Sequence, residues 1–494
     1  MFKVGLEIHT QLHTSKKLFS KSSIPSFISN NTFDDNTSNN NKNVSFQDLA
    51  LPGTQPILTP NSLNYAIKLA LSLNCKINKF SNFDRKHYFY GDQPLGYQIT
   101  QHYNPIASNG QIKLFKRHNP KLSKDLLINI IQLQLEQDTG RSIYHSINSS
   151  NSFIDFNRSN ISLIEMVTEP NFTNIEEIRS FLQYYIKLIQ NLNISSGDLE
   201  NGSIRVDVNI NIPNHPRVEI KNLPTISSIL NACKYESNRQ YNILKEGLPI
   251  DNSIQTRGWD GKKTFHLRNK ESNVDYRYVP DMELPILKIS SDLINKIEKF
   301  EMPISTADKL DYLMNNYNLN IKDARILFNN DKLLNFYEIC YKNLNNDPKS
   351  QKKLINWINH ELLGSLTKSE LEFNENIINV ESFIELIKLV NNNKITNQNG
   401  KLLLLHLINN KDDQLKSIES LAIEFDMIIT SQSIDNSTSI IIDNILNKYN
   451  DIVIEIKSTK PNKINYLLGQ CMKELRGKVQ PNIIMNELKK RLDI

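Results

Sequence analysis

Charged and aliphatic side chains alternate along residues 204–221, a pattern that can place several reactive groups on one surface. The aliphatic positions are Ile204, Val206, Val208, Ile210 and Ile212, followed by Val218 and Ile220. The polar positions are Arg205, Asp207, Asn209 and Asn211, followed by Arg217, Glu219 and Lys221. A period of two predicts strands with one buried face. The carboxylates of the other face can hold a hard divalent cation and its cations can hold phosphate oxygens. The alternative is a solvated face with cross-strand ion pairs.

The break at residues 213–216 predicts a hairpin, and the aliphatic pattern predicts its register. Both aliphatic faces point to one side only if the loop has an odd number of residues. A five-residue loop over 212–216 sets Asn209 opposite Glu219 and Asp207 opposite Lys221.

Two further segments place acids on one side of an extended chain. Glu7 and His9 lie two residues apart in a predicted strand over residues 4–12, so they share a face and can share a cation. The alternative is a surface acid hydrogen-bonded to a histidine. Glu136 and Asp138 share a face in the same way if residues 133–141 are extended.

Residues 155–169 combine charged side chains with a strongly apolar frame. Asn157, Arg158, Glu165 and Glu169 accompany a run of aliphatic residues over 161–167. Acids are rarely buried without a partner, so their position here indicates a functional role.

Residues 87–101 form an aromatic cluster beside Gly91 and Pro94. Such a cluster can stack on a nucleotide base. A core strand that enters a turn would have the same composition, and the pattern does not separate the two.

The remaining elements are predicted from periodicity and turn residues. Residues 63–73 have helical spacing with Ser62 as N-cap. A capping box at Thr173–Glu176 opens a helix that runs to about Leu192. A further helix spans 227–246 and is closed by Gly247. The Asn-rich tract 29–45 has no periodicity and is predicted to be a disordered surface loop.

The C-terminal part of the chain changes in character. From about residue 289 the leucine and isoleucine spacing predicts helices only, and a second change occurs near residue 410. Residues 457–494 contain nine Lys/Arg and three acids, a local charge of +6 in 38 residues. A basic helical tail favours a nucleic-acid partner, with a solvated helix face as the alternative.

Length and composition set the broad class. A chain of 494 residues with 39% hydrophobic residues is globular and long enough for two to four domains. Its four cysteines form no close pair, which favours a reducing compartment. No apolar run approaches the length of a membrane span, so no integral membrane segment is expected. The N-terminus enters a predicted strand without a visible presequence, although one could have been removed.

Several co-linear motifs resemble the GatB family, the B subunits of the glutamyl/aspartyl-tRNA amidotransferases. They are Val-Gly-Leu-Glu-Ile-His, Ala-Leu-Pro-Gly-Thr-Gln-Pro, Arg-Lys-His-Tyr-Phe-Tyr-Gly-Asp-Gln-Pro, Leu-Glu-Gln-Asp-Thr-Gly-Arg, Glu-Met-Val-Thr-Glu-Pro, Gly-Ser-Ile-Arg-Val-Asp-Val-Asn, Glu-Ile-Lys-Asn-Leu and Val-Asp-Tyr-Arg-Tyr-Val-Pro. The resemblance implies an α+β fold: an antiparallel-sheet cradle over 1–288, a helical domain over 289–409 and a YqeY-like tRNA-binding tail over 410–494.

The resemblance also implies an activity and its partners. The family uses ATP and Mg²⁺ to phosphorylate the side-chain carboxylate of Glu mischarged on tRNA(Gln), and ammonia from a partner amidase, the A-type subunit, then displaces the phosphate. Some members act on Asp-tRNA(Asn). A small third component, either of the C type or a fungal substitute, is expected to complete a heterotrimer. The glutamate–glutamine–aspartate run at 136–138 and the Asn-rich insertion resemble mitochondrial fungal members, so the mitochondrial matrix is the expected location.

The family motifs imply roles for particular residues. The expected Mg²⁺ ligands are Glu7, His9, Glu136 and Glu219, and Lys221 joins them as a catalytic residue. The expected nucleotide or acyl-phosphate contacts are Arg158, Glu165, Arg205 and Asp207. Magnesium, cations on the transferring oxygens and exclusion of water are what phosphoryl transfer requires.

Three departures from the family pattern are visible. Gln137 stands where many members have a second glutamate, and Leu95 replaces a lysine. Ser20 and Ser22 lie where some members have zinc-binding cysteines, so no zinc is expected. Two other functions stay open: a tRNA-binding scaffold with a structural acidic cluster, and a metal-dependent nuclease, which would leave the motifs unexplained.

Overall fold

The computed structural model describes residues 2–24, 40–143, 152–249, 253–270, 276–344, 347–374, 376–429, 436–458, 463–475, 479 and 481–492. The chain divides into two compact units, Met1–Asp311 and Tyr312–Ile494. The units meet at residue 311, inside the helix Thr306–Asn316. That helix was expected to lie wholly in the second of three domains. The finer division at 288 and 409 stays a prediction.

The first unit contains the strands of the described chain. They are β1 (Lys3–Gln11), β2 (Lys76–Ile77), β3 (Phe80–Ser81), β4 (Asp84–His87), β5 (Tyr97–Thr100), β6 (Ala107–Leu114), β7 (Leu126–Gln137), β8 (Arg141–Ile143), β9 (Phe153–Asp155), β10 (Ser162–Thr168), β11 (Ile204–Asn211), β12 (Val218–Lys221), β13 (Ile254–Trp259), β14 (Thr264–Lys270), β15 (Val279–Pro280) and β16 (Leu287–Lys288). Its helices are α1 (Pro60–Ser72), α2 (Ile175–Asn191), α3 (Ile226–Glu246), α4 (Ser291–Phe300) and the start of α5 (Thr306–Asn316).

A nine-stranded sheet in the described chain is the frame of the first unit. Its order is β14-β13-β12-β11-β1-β10-β7-β6-β2. Every pair is antiparallel except β12 with β13, which run parallel. The predicted α+β class with a sheet domain followed by helices is confirmed, and the sheet is mixed rather than purely antiparallel.

The predicted hairpin has the predicted register. Asn209 pairs with Glu219, Val208 with Ile220, and Ile210 with Val218. The other edge of β11 pairs with β1, where Glu7 faces Asp207 and His9 faces Arg205. Because directly paired residues point to the same side of a sheet, this register aligns the polar side chains of β1 with those of the hairpin.

The aliphatic face of the sheet is covered by helices. Helix α1 packs on β7, α3 packs on β11, and α2 packs against α3. Phe181 and Tyr185 of α2 are completely buried, and the Tyr185 hydroxyl is 2.8 Å from Oγ1 of Thr10 on this face. Burial of each large apolar side chain contributes roughly 1.5–3 kcal/mol, so this layer supplies most of the unit's stability.

The helix ends differ in detail from the prediction. Helix α1 begins at Pro60, three residues before the predicted start at residue 63, so Ser62 lies inside the helix and is buried. Its hydroxyl is 2.9 Å from that of Ser162. Helix α2 is capped by Asn174, and Glu177 reaches back to the Thr173 amide at 2.7 Å. The box is therefore displaced by one residue. Gly247 ends α3 with φ of 62°, as predicted.

The described end of the Asn-rich tract is ordered, contrary to prediction. The backbone N–H of Asn41 donates to the Asp155 carboxylate at 3.0 Å, and the backbone N–H of Asn43 donates to Oδ1 of Asn157 at 2.9 Å. These hydrogen bonds could not be read from composition, because their acceptors lie more than 100 residues away. Residues 29–39 lie outside the described part of the chain.

A buried ion pair holds this part of the first unit together. Lys17 Nζ lies 2.9 Å from Asp48, and both side chains are 0% exposed. Asp48 also accepts hydrogen bonds from the Ser45 amide at 2.8 Å and from Asn160 at 2.8 Å. The carboxylate thus joins three loops, and burial lowers the pKa of Lys17 although Asp48 opposes that shift.

The described second unit is helical, apart from an isolated bridge between Ile395 and Ile428. Its helices are α6 (Ile321–Asn329), α7 (Asp331–Asn343), α8 (Pro348–Asn356), α9 (Leu363–Lys368), α10 (Val380–Asn391), α11 (Asn397–Asn409), α12 (Ile418–Glu424), α13 (Asn436–Lys448), α14 (Asn450–Ser458), α15 (Ile464–Glu474) and α16 (Pro481–Leu492), with a π-helix at Trp357–Leu362 and a 3₁₀ helix at Lys411–Leu415. No described helix combines the length and apolar character needed to cross a lipid bilayer.

The end of the second unit has its own hydrophobic core. A cluster of buried side chains comes entirely from residues 442–492. Residues just after 410 belong elsewhere, because Gln414 donates to the carbonyls of Ile377 and Leu407 at 2.8 and 2.7 Å. Gln414 thus contacts residues that precede it in the chain, while the buried cluster of the C-terminal end is formed by residues 442–492.

The Lys17–Asp48 pair yields a stability prediction. Changing Asp48→Asn keeps the volume but leaves a buried ammonium group without its counter-charge. We expect a loss of about 3–5 kcal/mol in the free energy of unfolding of the first unit. Hydrogen exchange of the β1 and β10 amides reports on this unit alone.

The matched control is Lys113→Met, which removes an exposed pair with Asp125 at 3.1 Å. It should leave the free energy of unfolding nearly unchanged, because solvent screens an exposed pair. Equal losses in the two variants would contradict a special role for the buried pair.

Candidate functional site

The face of the sheet opposite the helices carries the polar side chains of five adjacent strands. Glu7 and His9 lie on β1, and His9 pairs across β10 with Glu165. Glu165 in turn faces Gln134 of β7, two residues before Glu136. On the other side, the pairing of β11 and β12 adds Asp207, Arg205 and Glu219 to the same face. Alternation along each strand therefore determines which face a side chain lies on, and the strand order brings the side chains of this face together.

Four of these residues, His9, Glu136, Arg205 and Asp207, border a cavity of about 580 Å³. It is lined by His9, Lys86, Tyr88, Gln98, Glu136, Asp138, Thr139, Leu163, Leu199, Ile204, Arg205, Val206, Asp207, Lys221, Asn222, Leu223 and Pro224. The lining combines carboxylates, three cationic side chains and a histidine with aliphatic walls. That is the size and composition of a small-molecule site.

His9 belongs to two groups of possible metal ligands. Nitrogen and oxygen atoms of Glu7, His9 and Asp207 lie within 4.8 Å of one another, and so do those of His9, Glu136 and Glu165. His9 Nε2 is 3.3 Å from Glu136. Either group offers two carboxylates and one imidazole, a donor set that fits a divalent cation with remaining positions open to water or substrate.

Three buried acids of this site have raised pKa values. Burial, together with repulsion from Glu165 and Asp207, raises the pKa of Glu7 to about 8. Burial also raises the pKa of Glu136 and of Glu165 to about 7, with Glu136 adding repulsion on Glu165. A cation at this position would relieve both the desolvation and the repulsion. The donor set and its charge therefore fit a divalent ion.

His9 is neutral in this environment. Burial and the nearby charges of Arg205, Lys221 and Lys86 lower its pKa well below the usual value. A neutral imidazole has a free lone pair, so His9 is in the form that binds a metal.

Lys221 bridges the two acids of the hairpin. Its Nζ is 2.6 Å from Asp207 and 3.1 Å from Glu219. Glu219 also accepts a hydrogen bond from Thr256 of β13 at 3.1 Å. Burial disfavours the ammonium, but Asp207 and Glu219 outweigh it and raise the pKa of Lys221. Lys221 is therefore a permanent cation at the cavity wall.

Asp138 is bracketed by two guanidinium groups. Arg205 is 3.0 Å from one carboxylate oxygen and Arg158 is 3.6 Å from the other. Asp138 raises the pKa of Arg205, with burial opposing that shift. Arg158 is further fixed by the carbonyls of Thr139 and Gly140 at 3.0 and 2.8 Å. Two arginines are thus oriented beside the cavity.

The structure brings together most of the residues singled out in the sequence. Glu7, His9 and Glu136 meet in the ligand groups, where Asp207 and Glu165 accompany them. Among the described residues Glu219 belongs to neither group, and it contacts Lys221 and Thr256 instead. The role of Glu219 as a fourth ligand stays a prediction, as do the other assigned roles.

Other members of this surface were not predicted. Lys86 of β4 lines the cavity, and Gln134 donates to Glu165 beside it. Thr256 comes from the parallel neighbour of β12. Lys86 lies directly before the aromatic cluster, in the Arg-Lys-His-Tyr-Phe-Tyr-Gly-Asp-Gln-Pro motif, so its cationic side chain was a signal that could have been used. No local pattern marked Thr256.

The aromatic segment is only partly a core strand. Strands β4 and β5 form a hairpin, which matches a strand that enters a turn. Phe89 and Tyr90 in that turn are nevertheless 85% and 60% exposed. These rings therefore add nothing to the hydrophobic core.

The basic tail is partly neutralised. Arg491 lies 2.5 Å from Asp443 and 2.8 Å from Glu487, and Lys463 pairs with Glu455. Lys489 and Lys490 are exposed on α16. The described side chains do not include those of Lys457, Lys460, Arg476, Lys478 and Asp493. The exposed pair on α16 is the clearest cationic feature of the described tail.

Comparison with known proteins agrees with this geometry. Residues 2–295 match the GatB/GatE catalytic domain, and residues 335–492 match the GatB domain. Similar proteins include the mitochondrial B subunit of glutamyl-tRNA(Gln) amidotransferase from Vanderwaltozyma polyspora, which is 45% identical over 100% of this chain and 95% of the relative. The protein of the same name from Komagataella phaffii is 42% identical over 99% of this chain and 98% of the relative.

The two matched regions together cover most of the chain, and the relatives align along its whole length. The catalytic-domain match contains every residue of the polar sheet face. The chain therefore belongs to the GatB family, the B subunits of tRNA-dependent amidotransferases.

Proposed function

We propose that this chain activates the side-chain carboxylate of glutamate carried on tRNA(Gln), using ATP and Mg²⁺, and that ammonia then converts it to Gln-tRNA(Gln). The observation that carries the proposal is the convergence of acids, a neutral histidine and fixed cations on the sheet face opposite the helices. The names of the relatives favour glutamate on tRNA(Gln) over aspartate on tRNA(Asn).

The acids and His9 would hold the magnesium ion. Glu7, His9 and Asp207 form one set of ligands, and Glu136 and Glu165 form another set with His9. Bound Mg²⁺-ATP would supply the phosphoryl group and neutralise charge on its oxygens. The raised pKa values of Glu7, Glu136 and Glu165 mean that these acids release protons when the cation binds.

The cations would hold the transferring group. Lys221 is fixed by Asp207 and Glu219, and Arg205 and Arg158 are fixed by Asp138. Donors held in advance stabilise negative charge on phosphoryl oxygens without reorganising during the reaction. Leu163, Leu199 and Leu223 in the cavity wall limit water, which would otherwise hydrolyse the activated carboxylate.

The amide nitrogen would come from a partner. We found in the sequence no Gly/Ser-rich segment with an accompanying lysine of the kind an amidase nucleophile needs. An amidase of the A type is the proposed ammonia source, and a small protein, of the C type or a fungal substitute, is the proposed third component. The names of the fungal relatives support a mitochondrial location, and the matrix is the proposed compartment of assembly.

The second candidate function is a non-catalytic tRNA-binding scaffold of the same type of complex. The exposed lysines of α16 favour tRNA binding under either hypothesis. A scaffold has no need for three acids held at raised pKa beside a cavity, so the two functions differ in the effect of substitutions on the sheet face.

Substitution of the acids tests the catalytic proposal. Glu7→Gln and Glu219→Gln keep side-chain volume and remove charge. We expect ATP-dependent formation of Gln-tRNA, with the amidase partner and ammonium supplied, to fall at least about a hundredfold in both, because charge stabilisation contributes several kcal/mol. Glu298→Gln, an exposed acid of α4, is the matched control.

The two variants separate the roles of their acids. Weaker Mg²⁺ binding in Glu7→Gln alone would identify Glu219 as the residue that positions Lys221. Weaker binding in both would identify Glu219 as a ligand. Near-normal activity in both variants would favour the scaffold.

The raised pKa values predict a pH-dependent stability. The folded chain keeps protons on Glu7, Glu136 and Glu165 that the unfolded chain has lost above its ordinary carboxyl pKa. Stability without metal should therefore fall as pH rises toward the folded values of about 7 to 8. Thermal unfolding across this range measures the effect, and Glu7→Gln should flatten the profile.

Magnesium should oppose this loss. Because binding releases protons, added Mg²⁺ should raise the unfolding temperature more at about pH 8 than at about pH 6. An equal effect of Mg²⁺ at both pH values would show that these acids do not bind it.

The exposed lysines of α16 lead to a separate prediction about tRNA binding. Changing Lys489→Gln together with Lys490→Gln should weaken tRNA binding and lower the slope of log affinity against log salt by about one to two units. The control replaces the exposed Lys296 and Lys299 of α4 in the same way. An unchanged salt slope in the α16 variant would remove these lysines from the tRNA contact.

A further inference from the structure

Four aromatic rings form a continuous row that starts beside the cavity. Tyr276 and Tyr278 have centroids 6.1 Å apart, and Tyr278 stacks on His102 at 3.9 Å with an interplanar angle of 10°. His102 contacts Tyr103 at 4.8 Å. We call Tyr276, Tyr278, His102 and Tyr103 the aromatic row.

One end of the row meets the candidate active site. Lys86 lines the cavity, and its Nζ lies 4.8 Å from the centre of the Tyr276 ring. The other end is open, since His102 is exposed and Tyr103 is 58% exposed. The row therefore leads from the cavity wall to the surface of the first unit.

Strand β4 holds both halves of the row in place. At its start, the buried carboxylate of Asp84 accepts the backbone N–H groups of His102 and Tyr103 at 2.8 and 2.9 Å. At its end, the His87 amide donates to the Tyr276 carbonyl at 2.8 Å, and His87 Nδ1 is 2.8 Å from the Arg277 carbonyl. A buried acid at one end and a histidine at the other thus fix the two loops that carry the rings.

The backbone between the two tyrosines is strained. Arg277 has a φ of 45°, in the left-handed region that residues other than glycine rarely adopt. Strain of this kind persists where surrounding contacts hold it, and it collects at ligand sites. Here it lets Tyr276 face Lys86 while Tyr278 stacks on His102.

The row is unsuited to a purely structural role. A hydrophobic core buries its rings, but this row ends in two exposed side chains. Exposed aromatic rings in series beside cations are typical of surfaces that stack successive bases of single-stranded nucleic acid. The exposed side chain of Arg277 adds a cation next to the row.

We propose that the aromatic row stacks the unpaired nucleotides at the 3′ end of the aminoacyl-tRNA and so guides the attached amino acid into the cavity. The proposal rests on the proposed function, which requires an amino acid ester to enter the cavity while the tRNA stays outside. Several rings in a line suit a strand better than the single base of ATP, which would be enclosed by one pocket.

A binding measurement tests the row without relying on catalysis. The probe is a short single-stranded RNA ending in cytidine, cytidine and 2-aminopurine, whose fluorescence falls when the last base stacks. It is titrated into the full chain in complex with its amidase partner. We expect His102→Ala and Tyr103→Ala each to weaken binding on the order of tenfold.

The controls isolate stacking from folding and from charge. Tyr103→Phe keeps the ring and should bind like the unchanged chain. Tyr241→Ala removes an equally exposed tyrosine, 59% against 58%, from α3 and should have no effect. Equal binding by all four variants would overturn the proposal.

Competition and kinetics separate the possible sources of the base. Excess Mg²⁺-ATP should not displace the probe; displacement would assign the row to the adenine of ATP and overturn the proposal. In the amidation assay the two alanine variants should raise KM for Glu-tRNA(Gln) about tenfold with little change in kcat or in KM for ATP. Probe binding without any Gln-tRNA formation in the unchanged complex would contradict the proposed function and leave the row supported.

Discussion

Carboxylates are crowded on one face of the sheet, and the repulsion among them is a cost that the rest of the structure must offset. Glu7, Glu136 and Glu165 are held close enough, and far enough from water, that the pKa of each is raised to between about 7 and 8. Such an arrangement is unfavourable unless protons or a cation neutralise it. Helices on the opposite face supply the hydrophobic burial that offsets this cost. The fold thus separates the layer that stabilises from the layer that reacts.

Three cations of the site are held by acids, and of these acids only Asp207 also belongs to a ligand group around His9. Asp138 orients Arg205 and Arg158, while Asp207 and Glu219 orient Lys221. This division keeps the positive side chains at the cavity wall instead of allowing them to collapse onto Glu7 and Glu136. A phosphoryl group entering between the acids and the cations would find both sets already in position.

Strand β4 connects this centre to the surface. Lys86 faces the cavity from the same strand whose Asp84 and His87 fix the aromatic row. A substrate that stacks on the row would therefore bind to loops that are fixed by the strand that also carries a cavity cation. The second unit contributes separately, through a core confined to residues 442–492 and exposed lysines on α16.

Local patterns were sufficient to predict the elements that depend on neighbours along the chain. The alternation over 204–221 predicted the hairpin, its register and the shared face of Asp207, Glu219 and Lys221, because a period of two has one outcome in a strand. The order of the strands in the sheet depends on contacts between distant segments and could not be predicted in this way. It placed Asp207 and Glu165 next to His9 and left Glu219 with Lys221, because β1 lies between β10 and β11. Likewise, the order of residues 40–45 and the buried Lys17–Asp48 pair rest on contacts between distant segments, which no local pattern records.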